Sequence, residues 1–244
     1  MNKLYQKNEI GFSILWIVIY VVGMSVADAC SSLIGIEKVL TAPIAILLTV
    51  FLLIWILKSG LKDKYGLCKG DIKPVKYLFF IPFALIISVN FWSGVQLNYG
   101  ILEIILYVIS MLCVGFIEEI IFRGFLFKAL SKDNLKTAII VSSVTFGIGH
   151  IINLINGADV IPTLLQICYA IAGGFMFTVV FYKSGNLLPC IIAHGLLNAT
   201  SAFSKEGSLE INIITAVVMI VVSIGYSIWI WKSVPTKDLQ EKQE

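Results

Sequence analysis

The stretch ILEIILYVISMLCVGFIEEIIFRGFLFK, residues 101–128, decides the class of fold. Its apolar length exceeds the roughly 20 helical residues, at about 1.5 Å each, that cross a hydrocarbon core about 30 Å thick. Within that run stand Glu118, Glu119 and Arg123. Ionisable groups at the centre of a membrane helix cost roughly 2.5–3.5 kcal/mol each on insertion scales. A chain keeps them there when they pair or work.

The same apolar pattern recurs on both sides of this stretch. The chain has 244 residues, of which 58% are hydrophobic and 14% charged, and its mean hydropathy is +0.93. That composition cannot supply the charged shell of a soluble domain. Eight apolar spans are expected, approximately at 10–30, 39–57, 77–95, 101–128, 137–155, 160–182, 187–203 and 209–231. Their Val and Ile content would favour strands in water. Lipid demands a backbone satisfied within each segment, so helices are expected. The fold class is therefore all-α, a polytopic transmembrane helical bundle forming a single domain over residues 1–244. No internal repeat stands out, which counts against an inverted-repeat transporter.

The first apolar run, from Ile10 to about Val26, follows Lys3 and Lys7, and Ala27-Asp28-Ala29 resembles a cleavage site. It is longer than a signal peptide's apolar region, so retention as a membrane helix is expected.

Lysines set the expected orientation. One set of loops and ends carries Lys3, Lys7, Lys58, Lys62, Lys64, Lys69, Lys73, Lys76, Lys128, Lys132, Lys136, Lys183, Lys232, Lys237 and Lys242. The alternate loops hold only Lys38 and Lys205. Both termini are thus expected in the cytoplasm. Trp55, Trp92, Trp229 and Trp231 fall near span ends, as an interfacial belt requires. The 58–76 loop, with Lys-Tyr-Gly-Leu at 64–67, reads as a solvated positive-inside loop. The lysine bias and the lack of a long targeting extension point to a bacterial plasma membrane.

Other classes are disfavoured. No basic run with interleaved aromatics suggests a nucleic-acid partner. The cysteines at 30, 68, 113, 168 and 190 are scattered, without a CxxC pair, and read as small apolar residues. Asp28 and Glu103, near span ends, read as interfacial or capping residues, and Ala170-Ile-Ala-Gly-Gly174 as helix packing. The sequence carries no signal for an oligomeric state.

Chemistry concentrates on three spans. Glu119 and Arg123 stand at i,i+4 with the glutamate first, the favourable order for an ion pair. Glu118 is turned about 100° away and needs partners from other helices. Span five offers Phe146-Gly-Ile-Gly-His150, whose Gly147 and Gly149 would permit close helix approach. Span seven offers His194-Gly-Leu-Leu-Asn198, an imidazole and an amide on one face. Counted from the nearest lysines at ~1.5 Å per residue, Glu118, His150, His194 and Asn198 lie roughly 15–22 Å deep. Their shared depth argues for one site.

In this order, Glu-Glu-x-x-x-Arg, Phe-x-x-x-His and His-x-x-x-Asn resemble the CPBP family, which joins CAAX-processing endoproteases with bacteriocin-processing and self-immunity (Abi) proteins. The motifs match over roughly residues 115–200. The resemblance implies an intramembrane endopeptidase with a catalytic core at about 101–203. It implies that Glu118 and His150 orient and deprotonate a water, that His194 and Asn198 donate to the oxyanion, and that Glu119 and Arg123 support them. The residue types suit amide hydrolysis. A metal such as Zn²⁺ would fall to Glu118, His150 and His194, but the helical HExxH signature is absent, so no obligatory cofactor is expected. The expected partners are membrane lipid and a membrane-associated peptide or protein substrate, reaching the site from the cytoplasm. The alternative is a non-hydrolytic protein, a proton-coupled transporter or a binding-type immunity factor, since proton relays also use intramembrane Glu and His.

Overall fold

The computed structural model describes residues 1–67 and 80–235. A short helix α1 (Asn2–Lys7) leads into α2 (Glu9–Ile34), α3 (Thr41–Lys58), α4 (Phe80–Ser88), α5 (Ile101–Leu130), α6 (Leu135–Gly149), α7 (Ile152–Ile155), α8 (Val160–Ser184), α9 (Leu188–Thr200) and α10 (Leu209–Ser233). Among the described residues there is no strand, only an isolated antiparallel bridge between Val95 and Ser204. The protein is an all-α, multi-pass membrane protein.

Among the described residues, six segments are long and apolar enough to cross a membrane: α2, α3, α5, the α6–α7 pair, α8 and α10. Side-chain exposure is inverted relative to a water-soluble bundle. Leu47 is 68% exposed and Val221 63% exposed, whereas Glu119 and Arg123 are 0% exposed. Apolar side chains cover the outside because lipid, unlike water, does not drive them inward.

The third and seventh expected spans correspond to shorter helices, Ile81–Phe91 and Leu188–Phe203. Residues 77–79 of the third lie outside the described residues. The seventh begins where expected, for a local reason. Ser184 and Asn186 form a tight hydrogen-bonded turn, Leu187 is fully buried, and Pro189 occupies the first turn of α9, where its missing N–H costs least. At their other ends the two short helices are tied together, with Gln96 N donating to Phe203 O at 2.9 Å and Lys205 N donating to Gly94 O at 3.2 Å.

The lysine-rich segments gather at one end of the bundle. Glu9, at the start of α2, pairs with Lys64 and with Lys132, each at 2.9 Å. Lys38 lies at the opposite end, paired with Asp28 at 2.8 Å. Lys69, Lys73, Lys76, Lys237, Lys242 and Cys68 fall outside the described residues. The Lys64-Tyr-Gly-Leu67 stretch is not the solvated loop its charge suggests. Tyr65 is 1% exposed, donates to the Tyr5 hydroxyl at 2.9 Å and meets the Phe125 ring at 5.3 Å. Gly66 adopts φ +61, and a Cβ there would stand 2.6 Å from the Gly185 carbonyl oxygen. The backbone approach, available only to glycine, docks this segment beneath α8 and α9.

Candidate active site

The site begins with a glycine-to-glycine crossing. A Cβ on Gly115 of α5 would lie 2.5 Å from the nitrogen of Gly195 on α9, so neither helix could approach as closely with larger residues. The crossing brings His194, next to Gly195, against Glu118 and Glu119, one turn beyond Gly115. From Ile120 to Phe127, α5 is wound as a π-helix, and every residue of that stretch is buried. Such widened turns are frequent at functional sites. Here the π-helix starts directly after the glutamate pair.

His194 lies between the two carboxylates. Its Nδ1 is 2.9 Å from Glu119 Oε1, and its Nε2 is 3.4 Å from Glu118 Oε2. Arg123 donates from a terminal guanidinium nitrogen to Glu119 Oε1 at 3.0 Å, confirming the i,i+4 pair. The guanidinium lies 4.3 Å from the Phe146 ring centroid. Gly174 of α8 makes room for it, since a Cβ there would come within 3.1 Å of the guanidinium. The Ala170–Gly174 stretch is helix packing, as expected, and that packing houses the arginine. The His194 ring stacks on Phe177 at 5.7 Å and meets Phe146 edge-on at 5.6 Å.

Glu118 is 9% exposed. Its Oε1 accepts from the Tyr20 hydroxyl at 2.6 Å, and its Oε2 has no hydrogen-bond partner. Glu118 lines a cavity of about 380 Å³ whose walls also include His150, His194 and Asn198. His150 ends α6, where its N–H turns back to Gly147 O at 3.2 Å, so the fifth span is broken at the histidine rather than continuous to 155. The His150 ring lies 5.6 Å from Phe146, the same ring that His194 touches. Of the two glycines before it, Gly147 meets Ile171 of α8 and has no room for a Cβ, whereas Gly149 has nothing within 4 Å. Only Gly147 is a close-approach position.

The residues that a metal would use do not fit one ion as they stand. Among the described residues, no three His, Cys, Asp or Glu side chains group as metal ligands. Glu118 and His194 adjoin, His150 does not complete a ligand set with them, and Glu119 is taken up by Arg123 and His194.

Two kinds of residue escaped the sequence reading. Tyr20 was hidden because one aromatic in an apolar span is ordinary, although its hydroxyl needs a partner once buried. Glu103 caps α5 as expected, accepting from Gly100 N at 3.0 Å, while Asp28 both pairs with Lys38 and lines the cavity. The amides Asn90, Asn153 and Gln166 also line it. Their signal was a cluster of uncharged polar side chains near span ends.

Fold and site together define a class: a helical membrane protein with a buried carboxylate–imidazole centre facing an internal cavity. Residues 100–200 match the family described as Type II CAAX prenyl endopeptidase Rce1-like. The resemblance carried by the three motifs is thus borne out over the helices that build the site, and the family indicates a protease. No curated protein matches the chain.

Proposed function

We propose that this protein is an intramembrane endopeptidase that hydrolyses a peptide bond of a membrane-associated peptide or protein. The observation that carries the reading is Glu118, which lines a cavity shared with His150 and Asn198 and whose Oε2 is buried without a hydrogen-bond partner, 3.4 Å from an imidazole.

In this reading Glu118 and His150 hold a water in the cavity, and Glu118 takes its proton as the oxygen attacks the scissile carbonyl. The carbonyl oxygen becomes an oxyanion, which accepts hydrogen bonds from His194 Nε2 and the Asn198 amide. The proton on Glu118 passes to the leaving amine as the C–N bond breaks. Glu119 accepts from His194 Nδ1–H, so a bond from Nε2 to the oxyanion requires the second ring proton. Arg123 balances Glu119 and sets its position. No step here needs a metal.

The substrate class is CAAX-type or a bacteriocin or pheromone propeptide, and the setting is a bacterial plasma membrane with both termini in the cytoplasm. Lipid surrounds the protein, and no nucleic acid takes part. A proton-coupled transporter using the same Glu and His would need a route to the lysine-rich end, which buried aromatic side chains fill.

The test is comparative peptidomics of membranes carrying the wild type or Glu118→Ala, with and without chelator. Uncleaved substrate accumulates in the variant, and chelator leaves wild-type cleavage intact. Undiminished cleavage in both Glu118→Ala and His194→Ala would falsify the assignment.

A further inference from the structure

We infer that Lys64, Lys128 and Lys132, at the lysine-rich end of the bundle, form a binding site for a phosphate oxyanion, and that its occupant is the headgroup of an anionic membrane lipid. The site lies apart from the catalytic cavity. It depends neither on the endopeptidase reading nor on which face of the membrane this end meets.

Segments distant in sequence bring the three ammonium groups together. Lys64 and Lys132 meet the same atom, Glu9 Oε1, each at 2.9 Å. Lys128, in the last turn of α5, lies 5.1 Å over the Phe181 ring. A Cβ on Gly66, two residues from Lys64, would come within 2.8 Å of that same ring. Lys128 and Lys64 therefore flank one aromatic side chain, and the charge of Lys64 reaches Lys128. Lys64 is held in place from several sides, since it also donates to the Tyr5 hydroxyl and lies over the Tyr5 and Tyr65 rings.

Charge does not balance at this cluster. Among the described residues, Glu9 is the one carboxylate that pairs with these lysines. Asp63 and Asp133 are exposed and pair with none of the three. Lys128 is half-buried, and its contact is with the Phe181 ring face, which attracts the cation but offers no oxygen to its three N–H donors. An ammonium that gives up water without gaining an anion is costly. A phosphate diester carries one negative charge and two unesterified oxygens. It can accept from Lys128 and Lys132 while Glu9 keeps Lys64.

Position selects a lipid over a solute. Trp55 Nε1 donates to Asn2 Oδ1 at 2.6 Å, and Tyr5 packs edge-on against Trp55 at 5.4 Å. Such amphipathic rings belong at headgroup level. One residue after Glu9 an apolar stripe begins on α2, with Ile10 36% exposed, Ile14 53% and Val18 52%. At i,i+4 spacing these side chains share a face, which gives an acyl chain a path away from the lysines. Basic groups at the ends of membrane helices recognise anionic headgroups in this way.

The experiment is a lipid titration of the purified full-length protein in phosphate-free detergent buffer, read as the thermal midpoint by tryptophan fluorescence. Dioleoyl phosphatidylglycerol and dioleoyl phosphatidylcholine are the probes, with inorganic phosphate as a third arm. The concentration giving half the maximal shift is the apparent affinity. Phosphatidylglycerol should bind at least about tenfold more tightly than phosphatidylcholine, and Lys128→Gln and Lys132→Gln should each weaken it about fivefold, as expected for one lysine near a membrane surface. Lys205→Gln, between α9 and α10, should leave it unchanged. Equal responses to the two lipids, or wild-type phosphatidylglycerol affinity in either cluster variant, would overturn the site. Inorganic phosphate that gives the same shift and abolishes the response to phosphatidylglycerol would assign the cluster to a soluble anion and overturn the lipid. Where Lys128→Gln does not fold, Lys128→Arg, which keeps the charge and should keep the affinity, is compared with Lys132→Gln. Glu118→Ala should retain the full response, so that failure of the peptidase reading and failure of this site are seen separately.

Discussion

Tyr20 shows how one hydroxyl sets the chemistry of a neighbour. By occupying Glu118 Oε1 it leaves Oε2 as the carboxylate oxygen without a hydrogen-bond partner. A hydrogen bond to a charged group contributes about 1.5–3 kcal/mol. Tyr20→Phe should therefore lower kcat about tenfold or more with little change in KM, measured on the substrate found by peptidomics, because the tyrosine orients the base. Equal effects on kcat and KM with loss of thermal stability would instead mark it as packing. Arg123 is a different case, because it acts through Glu119 and is wholly enclosed. Removing one partner of a buried pair leaves a charge stranded, at a cost of roughly 3–5 kcal/mol. Arg123→Met should thus lower the thermal midpoint in detergent sharply, and Glu119→Gln with Arg123→Met should recover part of that loss.

At the scale of elements, the helix crossings decide whether the site exists. The Gly115–Gly195 contact has no space for a methyl group on α5, and overpacking a filled interior costs about 1–3 kcal/mol. Gly115→Val should force α5 and α9 apart, separating His194 from both carboxylates. Cleavage should fall by at least about 100-fold, in line with the cost of misplacing catalytic groups by about 1 Å. Gly149→Ala, with open space around its Cβ position, should be tolerated in both stability and cleavage. The contrast between the two glycines tests the geometry directly. The π-helical turn from Ile120 to Phe127 belongs to the same scale, since it carries α5 from the glutamates to the aromatic seal without breaking the backbone ladder.

The whole molecule is held at its lysine-rich end by contacts between distant segments. Burial works against the charge on Lys64, but bonds to the Tyr5 hydroxyl and the Glu9 carboxylate outweigh it and raise its pKa above the ordinary 10.5. A lysine whose pKa is raised on folding stabilises the protein below its ordinary value, and that contribution disappears as the pH climbs through the raised one. Lys64→Met should therefore cost about 1 kcal/mol at pH 8, and the gap to wild type should close above pH 10.5. Thermal unfolding in detergent across that range measures it. A gap that persists at high pH would mean that Lys64 acts through its aliphatic stem alone.

Much of this was legible in the residues themselves. Lipid forces helices on any long apolar run, so the class of fold followed from hydropathy, and the expense of burying charge singled out Glu118, Glu119, Arg123 and the two histidines before any contact was known. The i,i+4 pairing of Glu119 with Arg123 was equally local. What one dimension could not contain was the partner across the bundle: Tyr20 beside Glu118, His194 between two carboxylates, Tyr65 tucked under Phe125. Periodicity reports which face of a helix is polar, but the rotation and depth of one helix against another come from packing, and here from glycines whose value is visible only where two backbones meet.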